Sequence, residues 1–168
     1  AAGAGVVTVL VKTVKYRADR LIAFLHPELD PHGIGYHINQ AFLAIGSGGW
    51  LGLGLGHSRK KYLFLPEVAN DSIFAVIVEE LGFVFSALAL ALLLAFLWRV
   101  LKIARSAPDP FGRFVAAGVV AWVFFQSLFN IGSMVGLMPL TGLPLPFVSY
   151  GGTALMVLLG AAGVLNNI

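Results

Sequence analysis

The stretch from residue 73 to residue 98, IFAVIVEELGFVFSALALALLLAFLW, carries only two formal charges, Glu79 and Glu80. About 20 mostly apolar residues suffice to cross the roughly 30 Å hydrocarbon core of a bilayer. The stretch therefore reads as a membrane-spanning helix, bounded as residues 72–98. Residues 114–138 and 147–168 read as two more, neither with a formal charge. Residues 1–15 read as the end of another span, carried by the apolar run Val6 to Val14; Ala1-Ala2-Gly3, with no starting Met and no charged n-region, reads as the start of a fragment rather than a signal peptide. On this reading the chain is a piece of a longer polytopic protein.

Composition agrees. The chain has 168 residues, 58% hydrophobic and 11% charged, with a mean hydropathy of +0.89. Soluble domains carry about 25% charged residues, so a soluble domain, a disordered tail and a nucleic-acid-binding module are excluded. The absence of cysteine excludes disulfides and thiolate metal sites.

The loops set an expected topology. Residues 99–113 hold Arg99, Lys102, Arg105 and Arg113 against Asp109, whereas residues 139–146 hold no charge. The positive-inside rule places the first in the cytoplasm and the second outside. Parity then puts the long loop, residues 16–71, outside as well. Its basic residues include Arg17, Arg20, Arg59, Lys60 and Lys61, and an anionic ligand is the natural reason for them there. Its apolar, glycine-rich middle, AFLAIGSGGWLGLGLG, is too short to span. It reads as a re-entrant or interfacial segment whose backbone must be covered.

Several residues could carry chemistry. Asp71 stands where a spanning helix begins, after Pro66 and Glu67. It reads either as a helix cap or as a carboxylate base at the membrane surface, roles that are compatible. Glu79 and Glu80 lie about 12–14 Å further along the helix. They read as interior hydrogen-bonding groups, or as a proton relay or ion site. Gln126 and Asn130 share one helix face and read as polar joints between helices. Ser149-Tyr150-Gly151 opens the last span, where N–H groups at a helix start favour anions; a close-packed corner is the alternative. The histidines 26, 32, 37 and 57 match no zinc spacing.

In order, these stretches resemble the C-terminal portion of the SEDS family (shape, elongation, division and sporulation), which includes FtsW, RodA and SpoVE. The matching residues are Tyr16-Arg17-Ala18-Asp19-Arg20, Gly35-Tyr36-His37-Ile38-Asn39-Gln40, Ala44-Ile45-Gly46-Ser47-Gly48-Gly49, Gly52-Leu53-Gly54-Leu55-Gly56-His57-Ser58, Lys61 and Leu65-Pro66-Glu67. Further matches are Asp71, residues 73–82 with Glu79-Glu80-Leu81-Gly82, Asn130-Ile131-Gly132, Gly136-Leu137, Pro139, Thr141-Gly142, Leu145-Pro146 and Ser149-Tyr150-Gly151-Gly152-Thr153. The Gly-Leu-Gly-x-Ser turn is similar to FtsW and SpoVE rather than RodA.

The resemblance implies an all-α polytopic membrane protein. This chain would form the C-terminal part of a roughly ten-helix SEDS bundle with a large external loop. It implies a peptidoglycan glycosyltransferase that polymerises lipid II into β-1,4 glycan with release of polyprenyl pyrophosphate. Asp71 falls on the family's essential aspartate, while Ala69, Asn70 and Ser72 depart from the family's His, Thr and Phe. Asp71 would be the base. Arg20 and Lys61, then Arg17, Arg59 and Lys60, would meet the pyrophosphate, with Glu67, Ser149, Tyr150 and Gly151 also facing substrate. No cofactor is assigned, although a divalent cation (Mg or Mn) could share the leaving-group work. Expected partners are lipid II, a class B penicillin-binding protein and other division or elongation membrane proteins, with no nucleic acid. The expected location is the bacterial cytoplasmic (inner) membrane. The alternatives are a lipid II flippase or transporter, and a non-catalytic scaffold.

Overall fold

The computed structural model of the chain describes residues 34–57 and 72–168, together with Arg20, Ile22, Phe24 and His26. These residues form helices α1 (Ile34–Gly48), α2 (Ile73–Ser106), α3 (Pro110–Met134) and α4 (Gly152–Leu165), and no strand. The helices α2 and α3 are long and apolar enough to cross a membrane. Only 17% and 22% of their most apolar stretches are buried in the chain. The core helix of a soluble protein would be mostly buried. Here Phe83, Phe85, Leu92, Trp98, Phe125 and Leu128 instead point outward, as lipid-facing or bundle-facing side chains do.

The long apolar run makes α2 a helix, and its ends are set by local chemistry. It continues past Trp98 to Ser106, so Arg99, Lys102 and Arg105 are helical rather than in a loop. Val100 and Ala104 keep its apolar stripe in register against Ala116 of α3. Pro108 stops it, because the residue before a proline is driven to extended backbone, and Ala107 sits at φ −59°, ψ 130°. Asp109 then caps α3 by accepting from Gly112 N at 2.7 Å, with Pro110 in the first turn. The connection expected over residues 99–113 is thus reduced to residues 107–109.

Towards the other end, α2 is broken. Gly82 has φ 78°, ψ 179°, a region essentially reserved for glycine. In an unbroken helix, Phe83 N would donate to Glu79 O and Val84 N to Glu80 O. Both bonds are opened, and all four groups are re-paired with the glycine-rich turn after α1. Leu53 N donates to Glu79 O at 2.9 Å and Gly54 N to Glu80 O at 3.0 Å. Phe83 N donates to Gly49 O at 2.9 Å and Val84 N to Trp50 O at 3.2 Å. A side chain at Gly52 would fall on the Glu80 carbonyl, and one at Gly82 on Gly52 N. Glycine at both positions is what lets the two backbones interlock.

From this interlock α1 runs alongside the first segment of α2, in the same direction. Its His37–Ala41–Ala44–Gly48 face is buried, Ala44 completely. Ala41 and Ala44 share a core cluster with Ala75, Val76, Met134 and Leu140, and Gly48 lies against the Val78 carbonyl. Small residues on both sides let the helices approach closely, the packing that holds helices together where lipid removes the hydrophobic drive.

Residues 147–168 do not form a helix throughout. The chain turns at residues 145–149, with Ser149 N donating to Leu145 O at 3.0 Å and Leu145 N to Ser149 Oγ at 2.6 Å. Phe147 has φ 66°, and its ring meets Phe96 edge-on at 5.2 Å. Helix starts only at Gly152 and lasts 14 residues, about 21 Å. Leu158 and Leu165 seat α4 against α2 and α3.

Candidate functional site

The start of α2 is the place where the sequence puts its strongest candidate, Asp71. That residue lies outside the described residues, as do Arg17, Arg59, Lys60, Lys61 and Glu67. What surrounds the helix start is described. Ser72 is fully buried. Its hydroxyl makes no cap bond to its own helix and shares a 2.9 Å hydrogen bond with His37 Nε2 of α1. The first turn of α2 is closed by backbone, Ala75 N donating to Ser72 O at 3.1 Å.

Arg20 reaches the same end of the molecule. Its Nη1 donates to Leu140 O at 2.7 Å. Leu140 in turn packs in the cluster that holds Ile38 of α1 and Ala75 and Val76 of α2. The extended segment after α3 therefore bridges Arg20 to the first turn of α2. This segment, expected as an uncharged, rigid external turn, is held by side chains at Leu140, Leu143 and Pro144. Asn130 Nδ2 donates to Leu143 O at 2.7 Å and Gln126 Nε2 to Pro144 O at 2.8 Å. Both amides join α3 to this segment. Pro139, Pro144, Pro146 and Gly142 keep the segment out of regular structure, so side chains supply donors to its carbonyls.

Glu79 and Glu80 are both buried, at 1% and 8% exposure. On a straight helix they diverge by about 100°, so one neighbour cannot cover both. Here α1 ends against the main chain of Val78 and Glu79, and the glycine turn lies against the main chain of Glu80. Ser149 spends its hydroxyl on the local turn, Tyr150 is 80% exposed, and Gly151 precedes α4 in extended backbone. Among the described residues no group of three or more His, Asp or Glu side chains is placed to hold a metal ion.

The structure thus joins residues that the sequence leaves apart. The His37–Ser72 pair carries no sequence signature beyond the buried stripe of α1. The interlock had one: an isolated glycine in an apolar helical run, matched by a second glycine-rich stretch.

Comparison with known proteins fits this arrangement. The chain matches the FtsW/RodA/SpoVE family model, described as "Cell cycle protein", over residues 1–168. It is 47% identical over 159 residues to stage V sporulation protein E of Bacillus subtilis (strain 168), covering 95% of this chain and 43% of that protein. It is 45% identical over 159 residues to the probable peptidoglycan glycosyltransferase FtsW of Geobacter metallireducens, covering 95% and 42%. It is also similar to a chain from a solved structure described as "Structural coordination of polymerization and crosslinking by a peptidoglycan synthase complex". There the TM-score is 0.70 and the identity 28%, over 98% of this chain and 46% of that one. The chain spans less than half the length of these relatives. With its whole length matched and its all-helical fold shared, the chain belongs to the FtsW/RodA/SpoVE family of membrane proteins.

Proposed function

We propose that the protein containing this chain polymerises lipid II into β-1,4 glycan at the outer face of the bacterial inner membrane. The observation that carries the reading is the convergence of Arg20, through Leu140, on the first turn of α2, next in sequence to Asp71. The chemistry needs two things at one place: a base near the attacking hydroxyl and positive charge near the leaving group. Asp71 takes the proton from the 4-hydroxyl of the acceptor GlcNAc. That oxygen forms its bond to the anomeric carbon of the donor MurNAc, with inversion. The bond to the pyrophosphate breaks, and polyprenyl pyrophosphate leaves with the electron pair, met by Arg20 and Lys61. Arg17, Arg59 and Lys60 add charge around them, and Mg or Mn on the pyrophosphate belongs to the same proposal.

The fold supports the topology that this requires. Pairing of α1 with α2 in one direction suits a re-entrant helix that enters beside Ser72 and ends about 10 Å deeper, beside Val78 and Glu79. The basic ends of α2 and α3 then face the cytoplasm. A class B penicillin-binding protein is the expected partner, since the solved relative belongs to a complex described as coordinating polymerisation with crosslinking. A transport path is disfavoured by the broken helix itself. Transporters use unwound carbonyls to hold ions, whereas Glu79 O and Glu80 O already accept from Leu53 and Gly54.

The test is incubation of the full-length protein and its partner with purified lipid II in detergent. Glycan polymer on a gel is the expected product. Lipid II scrambling across vesicles without polymer would favour the flippase, and neither activity would favour the scaffold.

A further inference from the structure

We propose that His37 is a positioning residue for the reaction, acting through Ser72 on the adjacent Asp71. The inference rests on the reading of Asp71 as the base. A serine just before a helix ordinarily turns its hydroxyl to the helix's own N–H groups. Ser72 does not. Although fully buried, it directs its hydroxyl to His37, on a different helix and 35 residues earlier in the chain. The hydroxyl therefore fixes the helix start relative to α1 rather than closing the first turn, which the backbone already does.

The other end of the strut is firm. Downstream of His37, α1 packs Ala41 and Ala44 into the core cluster. The glycine-rich turn that follows α1 is clasped by four backbone bonds to residues 79–84. His37 is itself 8% exposed, so its ring has little room to leave Ser72. Asp71 is the residue before Ser72 in the sequence, and neighbouring Cα atoms stand about 3.8 Å apart across any trans peptide. On this proposal, holding Ser72 narrows the freedom of that neighbour. Misplacement of a reacting group by about 1 Å can cost on the order of a hundredfold in rate.

Four variants of the full-length protein, assayed with its partner on purified lipid II, test the proposal: His37→Leu, Ser72→Ala, the double variant and His37→Gln. His37→Leu and Ser72→Ala are expected to lower kcat roughly 10- to 100-fold with KM changed less than about threefold, since a transition-state interaction is lost. The double variant is expected to be no slower than the worse single, because both remove one interaction. His37→Gln, which restores a polar nitrogen, is expected to recover most of kcat. A merely structural bond would lower the melting temperature and leave kcat alone. Wild-type kcat in Ser72→Ala, or losses that multiply in the double variant, overturns the proposal. Should His37→Leu fail to fold, Ser72→Ala removes a single oxygen and decides the question. Asp71→Asn is run beside them. If it is inactive while Ser72→Ala keeps full kcat, only the positioning role falls; if Asp71→Asn is active, the base and the positioning role fall together.

Discussion

The backbone N–H of Leu53 donates to the carbonyl of Glu79 at 2.9 Å, the carbonyl that Phe83 would hold in a continuous helix. A loop thus enters a helix and takes over its hydrogen bonds. Inside a membrane each unsatisfied backbone group costs several kcal/mol, so the break exists only because the glycine turn repairs it. Alanine at Gly82 combines forbidden backbone with a collision at Gly52 N. Strain and overpacking together are expected to cost about 2–6 kcal/mol. Gly52→Ala meets the Glu80 carbonyl and should behave alike. Gly118→Ala, with nothing near and inside α3, should be neutral or stabilising by up to about 1 kcal/mol. Thermal unfolding of the full-length protein in detergent ranks the three, and equal melting temperatures would remove the interlock from the account.

Arg20 has a structural contact as well as its proposed role with the leaving group. Arg20→Ala should lower lipid II polymerisation by roughly ten- to a hundredfold, the equivalent of about 1.5–3 kcal/mol for a charge-assisted bond. Lys61→Ala should do the same, and Arg99→Ala or Arg105→Ala at the opposite end of α2 should do little. Arg20→Lys keeps the charge without the planar fork and should fall between. Equal losses from both ends would contradict an external anion site.

Asn130 is 1% exposed and holds Leu143 O. Asn130→Leu should strand that carbonyl at a cost of roughly 1–3 kcal/mol, while the half-buried Gln126→Ala should cost less, about 0.5–1.5 kcal/mol. Melting temperatures check the order. A larger loss from Gln126→Ala would show that the segment after α3 is held mainly at Pro144.

Topology is open to cysteine labelling. The native chain has no cysteine, and Asn39, Ser47 and Ser106 are all exposed within the chain. With an impermeant thiol reagent applied from outside, Asn39→Cys should label well. Ser47→Cys, near the deep end of α1, should label poorly, and Ser106→Cys should label only after the membrane is opened. Labelling of position 106 in intact cells would invert the orientation.

The sequence made the two long spans legible because their apolar runs have no competing reading. Their ends were less legible. Arg99 and Lys102 look like loop residues by charge, yet Val100 and Ala104 carry the apolar stripe that keeps the helix going to Pro108. The last span looked continuous by hydropathy, but Ser149 and Leu145 close a turn inside it. At the site, Arg20, Gln126 and Asn130 were visible as polar residues among apolar ones. Their partners, the carbonyls of Leu140, Pro144 and Leu143, were not, since a backbone acceptor has no letter in the sequence. The His37–Ser72 bond was hidden for a related reason: it spans 35 residues, and neither side chain is unusual alone.

The proposed role of Asp71 as the base of a lipid II polymerase stands or falls with Asp71→Asn. Asparagine caps a helix about as well as aspartate but cannot take a proton. In the full-length protein, checked for folding by extracted yield and by binding to the proposed penicillin-binding partner, the substitution should lower glycan polymerisation from purified lipid II by about 10²- to 10⁴-fold. A well-folded Asp71→Asn protein that polymerises lipid II at the wild-type rate would contradict the account.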